Sequence, residues 1–508
     1  MLPIPHEHFN TQNHDDPKDY IPWSLYHPPR TKLSTHSVIL LIVGLILTII
    51  VPNFACPRRS MPPMCMCKER SRGNDVGCNG ARKDDVKDAI QALLQTDRTT
   101  LYLRINGTKM GIFPDFFFDG LPVENLEAKF CDLNEISDSA FFGLSKTLMT
   151  LDLSENFLTR VPARSLEKLS TLEVLRLNYN KIESLDSGDF RGLTSLRELF
   201  LYGNQIKSID SNAFIDTGGN ITRINLGHNQ LSSLSSTSFI QLTNLRTLEI
   251  GENHIELITD STFYGLQSLR VLDQLDLISN SLQELPGFSF TLLSAISSLK
   301  LDNNNISNIH PQAFSGLDDT LVYLYLGENK LTEIPNKALY NLTRLRELDL
   351  RGNNITTITR TSFEKYGSSL QFLILRNNRL KTIEFGAFDH LTSIKWFWMD
   401  HNQLKTLSYQ TFRPIMNTFE LLDVHDNPFH CSCQLKWFSD WLSESGPVTK
   451  VNMPQKTECS LDTNMAKIPI ANLSSRIIDC VNEANGNFQN SSNYFRMILL
   501  LIIALFLI

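Results

Sequence analysis

Between Val123 and Phe429 one phrase returns at near-constant spacing, and that period restricts the fold more than any other property of the 508-residue chain. The phrase is L-x-x-L-x-L-x-x-N-x-L, and its clearest copy is Leu345-Arg-Glu-Leu348-Asp-Leu350-Arg-Gly-Asn353-Asn-Ile355. Its asparagine falls at Asn156, Asn180, Asn204, Asn229, Asn253, Asn280, Asn304, Asn329, Asn353, Asn378, Asn402 and Asn427, and Cys131 takes that place in the first of thirteen copies. The spacing is 24 or 25 residues everywhere except between Asn253 and Asn280, where it is 27. A fixed period of this size marks a solenoid, in which each unit buries its apolar face only against its neighbours.

The residues of one copy assign its geometry. Leu348 and Leu350 stand two apart, so on a short strand both point into the solenoid, while Asp349 and Arg351 point onto the concave surface. The asparagine sits where the chain leaves the strand, and its amide satisfies backbone groups in its own turn and the next. Stacked copies line these amides into a ladder. Cys131 in that place is expected to be a buried structural thiol. About ten residues on, a second landmark recurs: Phe142, Phe190, Phe214, Phe239, Phe263, Phe314, Phe363, Phe388 and Phe412, with Leu166 and Leu339 as stand-ins. These predict a phenylalanine spine under the convex side. A repeat of 24 leaves about a dozen residues for the convex arc, too few for a long helix and its turns.

A solenoid cut anywhere exposes its core, so its ends need caps. Cysteines supply the candidates: Cys56, Cys65, Cys67 and Cys78 in front, Cys431, Cys433, Cys459 and Cys480 behind. Even sets at both ends imply disulfides formed in an oxidising compartment. The competing zinc reading lacks the usual Cys-x2-Cys spacing. The front cap spans 56–100 and includes an amphipathic helix over Asp84–Gln95; residues 101–122 form a degenerate first repeat and 123–426 the regular ones. The rear cap, 427–480, opens with a helix carrying Trp437, Phe438, Trp441 and Leu442 on one face, able to close over the last repeat.

The phrase, the spine and both cysteine clusters resemble the extracellular leucine-rich-repeat proteins of the Slit, Nogo receptor, lamprey variable lymphocyte receptor and chaoptin–connectin type. The resemblance covers about residues 56–480. It implies an α/β fold: a right-handed horseshoe with a parallel β-sheet on its concave face and a disulfide cap at each end. It also implies the pairings Cys56–Cys67, Cys65–Cys78, Cys431–Cys459 and Cys433–Cys480. The front cluster departs from the family's compact form in its long Cys56–Cys65 spacing. About the ligand the resemblance says little.

The flanks bear on location. Residues 1–37 are polar, rich in Pro and His, and read as a disordered leader. The apolar run Val38–Val51 within 38–55 suits a signal peptide, cleaved or retained as an anchor. After a linker, 481–496, the apolar run Met497–Ile508 matches a glycosylphosphatidylinositol attachment signal with the lipid near Asn485 or Gly486. The alternative is a short transmembrane tail. N-glycosylation sequons stand at Asn220, Asn305, Asn341, Asn354 and Asn472. Two more are Asn106, which as the asparagine of a degenerate ladder position would be buried and unmodified, and Asn490 in the tail. All of this places the solenoid at the cell surface or in secretions.

No Gly-rich phosphate loop, HExxH or GxSxG motif is present, so neither an enzyme nor a cofactor is expected. The net charge of −7 offers no nucleic-acid footprint. Asp400-His401 and Asp423, His425, Asp426 fall at outward positions of adjacent repeats, where a solvated, weakly charged surface is the ordinary outcome and a metal or acid/base site the alternative; no metal site is expected. The best recognition surface is aromatic. Tyr323 and Tyr325, Phe372 and Ile374, and Trp396 and Trp398 alternate with inward residues, beside a charged rim of Lys395, Arg376 and Asp400. Tyr179, Phe200 and Tyr202 make a smaller patch. The expected partner is an extracellular protein; a secreted scaffold and an innate-immune receptor are the alternatives.

Overall fold

The structure, a computed structural model, describes residues 56–57, 60–96, 98–217, 219–267, 271–443, 450–461 and 467–473. These fall within the unit Ala55–Ile508. The leader, the run Val38–Val51, Cys480, Asn485, Gly486, Asn490 and the run Met497–Ile508 lie outside the described residues.

Each copy of the phrase yields a short strand, five residues in the first copy, Val123–Glu127, and three in the others, where the middle residue faces the core. Leu348 is the middle of Glu347–Asp349, and Leu373 and Phe397 hold the same place in Phe372–Ile374 and Trp396–Trp398; all three are fully buried. The strands pair in parallel with these residues in register, Leu324 to Leu348 to Leu373 to Phe397 to Leu422. Sixteen strands join in one sheet. Thirteen come from the repeats, one from the degenerate segment Thr100–Arg104, and two, Met66–Glu69 and Asn74–Gly77, form an antiparallel hairpin in the front cap. The 27-residue interval leaves the register intact, for Thr247–Glu249 still pairs with Gln274–Asp276. Its three extra residues fall between the buried Leu266 and Leu272, six apart where Leu242 and Leu245 stand three apart.

The ladder is continuous. Asn353 donates from Nδ2 to Leu350 O at 3.0 Å and, one repeat back, to Leu326 O at 2.9 Å; its Oδ1 accepts the Leu331 N–H at 3.0 Å. Cys131 is a free, buried thiol whose Sγ lies 3.0 Å from Ile105 O, the bond an asparagine amide makes elsewhere. The degenerate repeat fills the same place with Thr108, which is fully buried, rather than with Asn106, which is half-exposed. The residue before each ladder position takes a left-handed turn, as at Glu155, Tyr179, His228, Glu252, His401 and Asp426, with φ between 50° and 59°.

The spine exists with two corrections. Phe142 is 51 % exposed, and Phe141 takes its place in the core. Phe290, absent from the expected series, is buried and stacks between Phe263 and Phe314 at 6.0 Å from each. Both follow from one rule: the spine residue stands ten after the ladder residue, from Thr108–Phe118 and Cys131–Phe141 to Asn280–Phe290. The rule continues into the rear cap, where Trp437 follows Asn427 by ten and packs 6.0 Å from Phe412. Convex helices are four-residue turns, Ala163–Leu166, Asn336–Leu339 and Tyr409–Phe412.

Helix Lys83–Leu94 closes the front with Val86, Ala89, Ile90 and Leu93 buried; helix Cys433–Ser443 closes the rear with Leu435, Phe438 and Leu442 buried. Disulfides join Cys56 to Cys67, Cys65 to Cys78 and Cys431 to Cys459. Cys433 is disulfide-bonded as well. Among the described residues no helix is long and apolar enough to cross a membrane.

Candidate functional site

The parallel register lines the concave side chains into rows across the solenoid. The first row runs Tyr323, Glu347, Phe372, Trp396, Leu421, and the second Tyr325, Asp349, Ile374, Trp398, Asp423. They differ in cover. Tyr323 and Trp396 are 37 % and 41 % exposed, whereas Tyr325, Ile374 and Trp398 are half-buried and Asp349 and Asp423 are buried. The aromatic residues therefore do face the concave side, but the first row carries the accessible rings.

Those rings also support one another. Phe372 and Trp396 meet edge to face at 5.1 Å, and Trp396 and Trp398 at 5.6 Å. Glu347 separates this group from Tyr323, so the strip is interrupted by one carboxylate. Burial raises the Glu347 pKa, against the hydrogen bond from Tyr325 and the charge of Arg351; burial and Glu347 in turn hold the Tyr325 hydroxyl above its usual range.

Asp400 is no rim residue. It is 0 % exposed and paired with Arg376 at 3.2 Å. Asp423 and His425 are buried too, so the expected solvated surface at these outward positions is instead a desolvated cluster with Asp426 and His401 above it. Asp349 likewise points away from the core yet is covered, because Arg351 folds back over it at 2.8 Å and reaches Asp302 at 3.5 Å. Gly327 clears the path: a Cβ there would stand 2.7 Å from Asp302 Oδ1 and 2.9 Å from Arg351 Cγ. A readable signal for the Asp–His cluster existed, the reversed dipeptides Asp400-His401 and His425-Asp426 before consecutive ladder asparagines.

The smaller patch is more polar than its sequence suggests. Tyr179 meets Tyr202 edge-on at 5.5 Å, Tyr202 stacks on His228 at 5.5 Å, and the Tyr202 hydroxyl donates to Glu252 at 2.9 Å. Arg176 and Arg223 cover Phe200, each guanidinium about 5 Å from its ring. The sequon residues Asn220, Asn305, Asn341 and Asn472 are exposed and Asn354 is half-exposed, all off the concave strands.

The family model described as Leucine rich repeat matches residues 146–206, 170–219, 219–274, 271–320, 319–368 and 368–429, together more than half of the chain. Over 133 residues the chain is 29 % identical to the Danio rerio Leucine-rich repeat-containing protein 3; the match takes in 25 % of this chain and 46 % of that relative, so the chain spans about half the length of the curated relative it matches. Among solved structures, it is similar to a chain of the TLR13–ssRNA13 complex, with a TM-score of 0.63 and 24 % identity over 77 % of this chain and 58 % of that one. A chain of the octameric complex of Latrophilin 3, Unc5D and FLRT2 gives 0.53 and 24 %, over 61 % of this chain and 91 % of that one. At such identities the likeness shows the fold.

Proposed function

The chain belongs to the leucine-rich repeat family, and from that premise we propose that it is an extracellular, non-catalytic recognition protein that binds another protein through its concave face. The observation that carries this reading is the exposure of Trp396 and Tyr323 on a rigid sheet. Large aromatic rings held in place by neighbours lose little entropy on binding and anchor protein interfaces. Phe372 and Trp398 brace Trp396, and Lys395 with Glu420 at 3.2 Å supplies a charged margin. Strands sit about 4.8 Å apart, so the four strands from Tyr323 to Trp396 give a patch on the order of 15 Å across, the centre of a standard interface.

One structural relative is complexed with RNA and another assembles with proteins. The net charge of −7 favours the protein ligand here, since RNA binding draws on phosphate-neutralising cations. Location at the cell surface rests on the disulfides, which belong to an oxidising compartment, and on the tail with its lipid site near Asn485 or Gly486.

The test is a binding screen with the glycosylated protein against cell-surface and secreted proteins, followed by Trp396→Ala and Tyr323→Ala. Each is expected to weaken the partner found by about 2 kcal/mol with folding nearly intact. A double variant that binds as tightly as the parent would move the site off the aromatic strip. Release of the protein from cells by a phosphatidylinositol-specific phospholipase would separate a lipid-anchored receptor from a secreted scaffold.

A further inference from the structure

Two consecutive repeats end in mirror-image dipeptides, Asp400-His401 before Asn402 and His425-Asp426 before Asn427. Equivalent positions of neighbouring coils lie side by side, so Asp400 comes to stand beside His425 and His401 beside Asp426. The left-handed turns at His401 (φ 54°) and Asp426 (φ 50°) lift those two side chains toward solvent, each 45 % exposed.

Both imidazoles are held from one side by a buried carboxylate. His401 Nδ1 lies 2.8 Å from Asp400 Oδ2, and His425 Nδ1 contacts Asp423 Oδ1. The two carboxylates are themselves fixed, Asp400 by Arg376 and Asp423 by Asn452 Nδ2 at 2.7 Å. The remaining ring nitrogens converge: His401 Nε2 and His425 Nε2 lie 3.3 and 3.4 Å from the same Asp426 Oδ2.

We propose that His401, His425 and Asp426 form a binding site for a zinc-class divalent cation, with Asp400 and Asp423 as the outer carboxylates that orient the two rings. A metal-ligating histidine characteristically gives its other ring nitrogen to a carboxylate, which fixes the tautomer and raises the basicity of the free nitrogen. Both histidines here meet that condition. A tetrahedral zinc with bonds of about 2.0–2.1 Å has ligand-to-ligand edges of about 3.3–3.4 Å, and Asp426 stands at that separation from each ring nitrogen, which gives two of the three edges such a ligand set needs. The desolvated charge points the same way. Asp400 is fully buried, its Oδ1 has no hydrogen-bond partner among the described residues, and it offers an oxygen within 4.8 Å of nitrogens of His401 and His425. Three carboxylates stand against the one guanidinium of Arg376, an imbalance that a divalent cation offsets. The exposed edge of His401 and Asp426 is the entry side, and three protein ligands leave a fourth position for water or a partner's side chain.

The repeat containing His228 supplies an internal control. His228 occupies the same row as His401 and faces Glu252 at 3.1 Å, but through Nδ1 and without a second histidine.

Zinc titration of the tag-free full chain, stripped with chelator beforehand, tests the proposal by calorimetry and metal analysis. His401→Asn and Asp426→Asn place asparagine, which tolerates left-handed turns, at exposed positions, so folding is retained; an unchanged melting temperature in chelator verifies this. The parent is expected to bind one equivalent of zinc more than either variant, and His228→Asn to match the parent. The loss in affinity should exceed about 100-fold, beyond the 10–100-fold that removal of an outer partner costs. Histidines of the leader contribute equally to all four proteins and cancel in the difference. Tetrahedral cobalt absorption present in the parent and absent from both variants supports the ligand set. Equal zinc stoichiometry and affinity in the parent and both variants overturns it.

Discussion

Asp349 lies beneath Arg351: its Oδ1 accepts the Arg351 backbone N–H at 2.9 Å while its Oδ2 stands 2.8 Å from the guanidinium. A side chain pointing out of the sheet is thereby sealed under one two residues further on, and the consequences for stability are measurable.

Burial pushes the Asp349 carboxyl up to about 6, more than the Arg351 hydrogen bond and charge pull it down. Against about 3.9 in the unfolded chain, the native state holds a proton between about pH 4 and 6 that the unfolded state has released. Stability then falls as pH rises through that window. Asp302 and Asp189, also raised by burial to about 6, act in the same direction. Asp349→Asn removes one share, so denaturation at pH 4.5 and pH 7 should show the variant gaining on the parent by about 1–3 kcal/mol. A gap that stays constant with pH would show that Arg351 neutralises the group fully.

Asn353→Leu should cost roughly 2–3 kcal/mol. The change strips the amide from Leu326 O, Leu350 O and the Leu331 N–H, which are buried away from water. Asn354, its half-exposed neighbour, is the comparison: Asn354→Gln should change stability by about 0.5 kcal/mol or less. Urea unfolding of the two variants side by side decides whether the ladder carries the difference.

Phe290→Ala should destabilise by about 3–5 kcal/mol through a cavity between Phe263 and Phe314. Phe142→Ala, whose ring is half in solvent and touches Phe116 edge-on at 5.6 Å, should cost about 1 kcal/mol or less. Thermal melts that rank the two in the opposite order would return Phe142 to the spine.

The Cys131 thiol should resist alkylation in the folded protein. Burial pushes its pKa up to about 11, so almost no thiolate is present at neutral pH, and the sulfur is enclosed. Iodoacetamide followed by peptide mass spectrometry should label Cys131 only after denaturant is added. Labelling under native conditions at the rate of a free thiol would mean that the first repeats open.

What the sequence determined by itself is whatever repeats. The alternation of Leu348 and Leu350 with their neighbours fixes which side chains enter the core, and a 24–25-residue period stacks strand on strand, so sheet, ladder and spine were all legible. Even Phe141 in place of Phe142, and Phe290, follow from the constant offset of ten residues that the sequence contains. The tertiary structure alone decided what covers the outward residues. Strand period gives the direction of a side chain, not its surroundings. Those come from neighbouring coils: Arg351 reaching across Gly327 to Asp302, Arg376 over Asp400, and Asn452 of the rear cap against Asp423. So Asp349 and Asp400 are buried while Trp396 stays open, although all three follow the same outward rule. The difference is which long side chain folds over each of them, Arg351 of the same coil over Asp349 and Arg376 of the preceding coil against Asp400, and strand period does not say where such a side chain comes to rest.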